Sequence, residues 1–234
     1  MLEVRDLSKT FTMHVREGLL LPSFNGVSLA ASAGEMLAIT GPSGIGKSSL
    51  LKCIYRTYLP TTGAIIYRSK RAEIHDLAKT DEQTIMRLRS EEIGYISQFF
   101  HVLPRVSALN VLVEVLLQKG QERREAEENA KDLLRFVGLG KELWEMYPST
   151  FSGGEKQRLN ILRALISKPR LLLLDEPTAS LDIGYKARVM QLILELKHSG
   201  TCMLGVFHDR DAMLHLADKR YDLHHKMYCA VAAD

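Results

Sequence analysis

The 234 residues are 46% hydrophobic and 25% charged, the make-up of a globular chain long enough to bury a full core. A formal charge of +3 is too small to argue for nucleic acid or an anionic membrane surface as a partner. The start MLEVRDLSKTF has no basic-then-apolar leader, and no apolar run approaches the ~20 residues that cross a bilayer. Cys53, Cys202 and Cys229 make neither a CxxC pair nor a disulfide frame. The expectation is a cytoplasmic chain with reduced thiols and no membrane span of its own.

In chain order, short strands are expected at Leu2 to Val4, Phe11 to Val15 and Phe24 to Leu29. The turn signal SAGE, Ser32 to Glu35, precedes the apolar run Met36 to Thr40, which Gly41 breaks. A helix should follow from Lys47 to about Tyr58, and PTTG, Pro60 to Gly63, turns into a strand at Ala64 to Tyr67. Residues 69–91 are charged and weakly patterned, a surface excursion with one helix, before the short buried strand Ile93 to Ser97. From Ser107 to about Ile166 apolar residues recur three and four apart, the period of helices. Within that stretch Gln121 to Arg135 is charged on most faces and reads as a solvated helix. Strand texture returns at Arg170 to Glu176, a helix at Tyr185 to His198 and a strand at Thr201 to Phe207. The tail alternates short helix and strand.

GPSGIGKS, Gly41 to Ser48, fits GxxxxGK[ST] between a predicted strand and a predicted helix, the setting that makes the pattern credible. In such a loop, running from Gly41 and Pro42 through Ser43, Gly44, Ile45, Gly46 and Lys47 to Ser49, the backbone N–H groups (which Pro42 alone lacks) turn toward phosphate oxygens. The Lys47 ammonium meets the outer phosphates, and the Ser48 hydroxyl reaches Mg²⁺. LLLLDE, Leu171 to Glu176, is a strand apolar on both faces that ends in two carboxylates. Asp175 would hold Mg²⁺ through water, and Glu176 would polarise the water that attacks the γ-phosphate. Gln98 follows a buried strand, where its amide could complete the Mg²⁺ shell or simply cap the strand. His208 also ends a strand, where it could touch the γ-phosphate or be structural. Phe11 could stack on a base or belong to the core. A second phosphate-gripping turn, Ser152, Gly153 and Gly154, opens a helical run far downstream.

Phosphate loop, strand-end Gln, SGGE, LLLLDEPTASLD and strand-end His occur in the order of the ATP-binding cassette (ABC) ATPases, and the chain resembles that family over nearly its whole length. The resemblance implies a P-loop NTPase: a RecA-like α/β core (1–97 and 168–234) with an N-terminal antiparallel β subdomain and a helical insert (98–167). It implies ATP and Mg²⁺ as cofactors. Phe11 becomes the adenine-stacking aromatic and Gln98 the Q-loop residue, with Ser152, Gly153, Gly154 and Glu155 as the signature. Asp175 and Glu176 are then the Walker B pair, Ser180 to Asp182 the D-loop and His208 the switch histidine. The catalytic set is Glu176, His208 and Lys47, and the metal set is Ser48, Gln98 and Asp175. Two such chains pack head to tail in that family, which explains the second grip: the Ser152 turn covers the ATP held by the partner. Glu155 replaces the Gln common in the family, and its carboxylate should weaken ATP capture unless it turns away or pairs with Lys156 or Arg158.

Within the family, YLPTTG, LPRVSALNV, LWEMYPSTFSGGE and GVFHD look like the PhnL type, the ATP-binding subunit of the bacterial carbon–phosphorus lyase system. That resemblance implies a role in making α-D-ribose 1-methylphosphonate 5-triphosphate from MgATP and methylphosphonate. Its partners would be soluble PhnG, PhnH and PhnI-type subunits, with a dimer partner that is either itself or a PhnK-type subunit. The alternative rests on YISQFFHVLP, which resembles the lipoprotein-releasing and macrolide-export cassettes.

Overall fold

Four parallel strands bring every strand-end motif to one side of a sheet. The computed structural model describes residues 1–13, 19–97, 105–179 and 181–231, with no description of the Ile183 side chain. Strands β1 (Leu2–Met13), β2 (Leu19–Ala31), β4 (Thr62–Arg68) and β5 (Ile74–Asp76) form an antiparallel sheet ordered β2-β1-β4-β5. Strands β3 (Met36–Thr40), β6 (Ile93–Ile96), β7 (Leu171–Asp175), β8 (Cys202–Val206), β9 (Lys219–Asp222) and β10 (Met227–Cys229) form a six-stranded sheet ordered β10-β9-β3-β8-β7-β6. All its neighbours are parallel except β9 and β10. The ends of β3, β6, β7 and β8 therefore emerge together, where open α/β sheets bind ligands.

The six-stranded sheet is held by a two-residue alternation. Leu171 and Leu173 face the cluster shared with the antiparallel sheet and helix α1 (Lys47–Ile54). Leu172 and Leu174 face α5 (Gly153–Ile166) and α6 (Ile183–His198) on the other side. All four leucines are fully buried, each contributing roughly 1.5–3 kcal/mol. Helix α2 (Glu82–Glu91) begins at Asp81, whose side chain accepts from Thr84 N, and α7 (Arg210–Leu216) packs on α6.

The helical layer keeps a core of its own. Helices α3 (Ala108–Gln118) and α4 (Arg123–Phe136) pack with α5 around Leu112, Val113, Leu134, Leu159 and Leu162. The charged stretch read as a solvated helix is α4. A narrow stripe of Ala126, Ala130 and Leu134, four residues apart, is enough to seat it.

The expected pair of opening strands is one strand. Register shifts beyond Val4, and a left-handed Asp6 at φ 45°, break its alternation without breaking its pairing. Of the expected Phe11 to Val15 strand, 14 and 15 lie outside the described residues. Helix α1 stops at Ile54 rather than near Tyr58, because Arg56 takes φ 70°. The three-residue β5 was not foreseen, since its only apolar residue, Ile74, is 63% exposed.

Candidate functional site

The turn between β3 and α1 is shaped by glycines. Gly41, Gly44 and Gly46 hold φ of 136°, 79° and 101°, in the left-handed region that a side chain rarely adopts. A Cβ on Gly46 would stand 2.6 Å from Ser23 O in β2, so the loop also presses on the neighbouring sheet. A Cβ on Gly44 would meet nothing within 4 Å and would project into open space. Gly46 caps α1 without a side-chain hydrogen bond, and no acidic residue sits in the helix's first turn. Such a helix start has its N–H groups and positive end available for an anion. Lys47 Nζ folds back on the loop, donating to Gly41 O at 2.7 Å and Pro42 O at 2.9 Å. Those carbonyls hold the ammonium at the mouth of the turn, where a phosphate would compete for it.

Asp175, at the end of β7, is 3% exposed and accepts from two sides. Ser48 Oγ donates to its Oδ1 at 2.8 Å, and Tyr95 Oη to its Oδ2 at 3.0 Å. A hydroxyl and a carboxylate in contact beside a phosphate cradle are hard oxygen ligands, the set that Mg²⁺ takes alongside substrate phosphates. Among the described residues no group of three or more His, Cys, Asp or Glu stands together as a metal cage. Gln98 lies outside the described residues. The carbonyl of Ser97, just before it, accepts from Asn160 Nδ2 at 3.1 Å and Gln157 Nε2 at 3.5 Å, both on α5. The sequence reading missed Tyr95, Gln157 and Asn160.

Glu176 follows Asp175 with φ 52°, a left-handed conformation uncommon for a non-glycine residue. Its N–H donates to Val206 O at 3.0 Å, so the end of β8 fixes the turn. Glu176 and His208 line one cleft of about 390 Å³, together with Thr178, Leu181, Lys186 and Asp209. Asp209 caps α7 by accepting from Asp211 N and Ala212 N. Its carboxyl is held below the usual range by the Lys186 ammonium first and those N–H groups second.

Phe11, on β1, is half-buried beside Tyr58, ring edge to face at 5.2 Å, with Lys9 Nζ 4.7 Å from its ring centre. The second phosphate-gripping turn sits in the helical layer. Ser152 caps α5 and is exposed, as is Gly153. Ser152 Oγ accepts from Glu155 N at 3.4 Å, and Ser152 N donates to Glu155 Oε2 at 2.8 Å, a reciprocal capping box. An accepting hydroxyl keeps its own proton for another acceptor. Glu155 thus turns back onto its own helix start. Its carboxyl is held below the usual range by the Ser152 N–H, with Arg158 contributing a smaller share.

Asp182 caps α6 by accepting from Tyr185 N at 3.2 Å, and its other oxygen lies 4.0 Å from Arg158 Nη1. Ser180 is outside the described residues. Arg158 stacks on the Tyr185 ring at 4.1 Å, and Tyr185 lies against Gly138 at the end of α4. So close is that approach that a Cβ on Gly138 would be 2.1 Å from the ring.

The family model described as ABC transporter matches residues 24–179. The lipoprotein-releasing system ATP-binding protein LolD of Aquifex aeolicus is 37% identical over 80% of this chain and 80% of its own. LolD of Xanthomonas axonopodis pv. citri is 39% identical over 93% of this chain and 86% of its own. Among solved structures, the dimeric post-hydrolysis state of the ATP-binding cassette MJ0796 bound to ADP and Pi aligns over 100% of both chains. Its TM-score is 0.86 at 26% identity.

Proposed function

This chain belongs to the ABC transporter family, and on that premise we propose that it binds and hydrolyses ATP as a head-to-tail pair. Each ATP would lie between the phosphate loop of one copy and the Ser152 helix start of the other. The observation that carries this is the exposed, capped start of α5, where the Ser152 hydroxyl accepts from Glu155 N and so keeps its own proton to donate. The dimeric MJ0796 structure bound to ADP and Pi supports it.

In this reading Lys47 leaves Gly41 O and Pro42 O for the outer phosphates, and Ser48 turns from Asp175 toward the metal. Magnesium, when bound, offsets the negative charge on the phosphates. Glu176, fixed by the end of β8, takes the proton of the attacking water, and His208 approaches the γ-phosphate from the same cleft. Phe11 supports the adenine, Gln98 joins the Mg²⁺ shell, and Asp182 keeps the start of α6 aligned with Arg158. A ligand that bridges two copies stabilises the pair by its own binding energy, so ATP closes it and hydrolysis opens it.

For the load, the LolD relatives support a transport assembly of the lipoprotein-release or macrolide-export kind. Among the described residues no helix is long and apolar enough to cross a membrane, so a partner would supply that part. The carbon–phosphorus lyase reading stays as a second one, on a specific observation. Two of its segments meet across backbone bonds, Leu109 N to Trp144 O at 2.9 Å and Ala108 N to Met146 O at 3.1 Å, just ahead of Ser152. Its PhnG, PhnH, PhnI and PhnK-type partners are soluble. Purifying the tagged chain from soluble and detergent fractions, followed by mass spectrometry, separates the two. A polytopic membrane protein retained with it supports transport, and soluble phosphonate-pathway subunits overturn transport in favour of the second reading.

A further inference from the structure

Tyr95 lies on β6, the edge strand of the six-stranded sheet, and Asp175 on its neighbour β7. Parallel pairing sets Tyr95 against Leu173, so the ring runs along the sheet to reach the end of β7. Its Oη donates to Asp175 Oδ2, while Ser48 holds the other oxygen. The ring stacks on Tyr55 at 5.0 Å and 27°, and the Arg89 guanidinium lies over the Tyr55 ring at 4.5 Å. Arg89 Nε is in turn tied to Tyr55 O at 2.8 Å. Tyr55, Arg89 and Tyr95 line a cleft of about 360 Å³, reached from outside between α2, α3 and α5.

We infer that Tyr95 is a positioning residue for the metal-binding carboxylate, locking Asp175 Oδ2 so that Oδ1 faces the ion, and that the Tyr55–Arg89 stack sets its angle. A carboxylate with one oxygen fixed has a single orientation to offer. Without that bond it rotates, and Ser48 alone does not choose the rotamer. Groups that orient a metal ligand from behind alter metal affinity by about 10- to 100-fold when removed. The inference rests on the magnesium role assigned to Asp175 above.

The test is Mn²⁺ titration, by electron paramagnetic resonance, of the full chain saturated with a non-hydrolysable ATP analogue. Metal-free affinity for the analogue is measured alongside. Tyr95→Phe keeps the ring and loses only the hydroxyl. It should weaken Mn²⁺ by about 10- to 100-fold and leave metal-free analogue affinity unchanged. Tyr55→Leu touches neither Asp175 nor the nucleotide, and should shift Mn²⁺ affinity the same way by about 2- to 10-fold through the lost stack. Unchanged Mn²⁺ affinity in Tyr95→Phe overturns the inference, as does a parallel fall in both affinities. If Asp175→Asn binds Mn²⁺ as the wild type does, the metal role of Asp175 fails instead.

Discussion

Ser48 and Asp175 are 127 residues apart in sequence, and their side chains meet at 2.8 Å. The hydroxyl comes from the first turn of α1 and the carboxylate from the end of β7, so the contact joins the phosphate loop to a strand two places across the sheet from β3. Ser48→Ala removes that donor and, in the proposed site, one magnesium ligand. Mg²⁺-dependent hydrolysis should fall at least tenfold, about the worth of one hydrogen bond to a charge. Nucleotide affinity without metal should hold, as equilibrium titration with and without Mg²⁺ would show.

Glu176→Gln keeps the size of the side chain and removes the carboxylate proposed as proton acceptor. Hydrolysis should drop by about 10²- to 10⁴-fold, while ATP still closes the pair. Gel filtration with ATP and Mg²⁺ should then show a lasting dimer that the wild type shows only transiently. A variant that hydrolyses normally would take the base role away from Glu176.

Glu155 turns its carboxylate back onto its own helix start, so Glu155→Gln should act on the helix rather than on the proposed pairing. The amide still caps Ser152 N, but the charge at the helix start is gone, which costs about 0.3–1 kcal/mol. ATP-induced pairing should change little, since the carboxylate is already turned onto Ser152 N and away from the proposed ligand. The depressed carboxyl contributes stability above the ordinary carboxylate range, and that contribution is lost as pH falls through the folded value. The melting difference between wild type and variant should therefore be present at neutral pH and vanish in acid.

Gly138 takes φ 70° and has the Tyr185 ring where a side chain would go. Gly138→Ala should cost about 1–3 kcal/mol from overpacking alone, seen as a melting temperature lower by about 2–4 °C per kcal/mol. Hydrolysis should suffer too, because Tyr185 is displaced from Arg158.

Burial pushes the Cys53 thiol up to about 11 and the Cys202 thiol up to about 12. Cys229 is only partly buried. A maleimide at about pH 8 should label the native chain at Cys229 first, with the other two reacting only on unfolding. Mass spectrometry of the labelled peptides checks the order.

Much of the site was legible because its chemistry demands fixed residue types at short spacing. Gly41 to Ser48 and Leu171 to Glu176 each form a local unit, and both lie at the ends of parallel strands of one sheet, β3 and β7, with β8 between them. What joins the units was not legible. The Tyr95–Asp175 bond spans 80 positions and depends on the register of β6 against β7. The Tyr185–Gly138 approach spans 47 and depends on how α4 ends against α6. Glu155, three residues after Ser152, carries the spacing of a capping box in the sequence itself, and it turns away from the ligand side onto Ser152 N.

Helix α5 belongs to two cores at once. Leu159 and Leu162 face the helical layer, while Ile161 and Leu165 face the sheet. It is the axle of the chain. A turn of α5 would therefore be felt in both layers: Ser152 sits at its exposed tip, while Gln157 and Asn160, further along the same rod, hold the Ser97 carbonyl beside the end of β6.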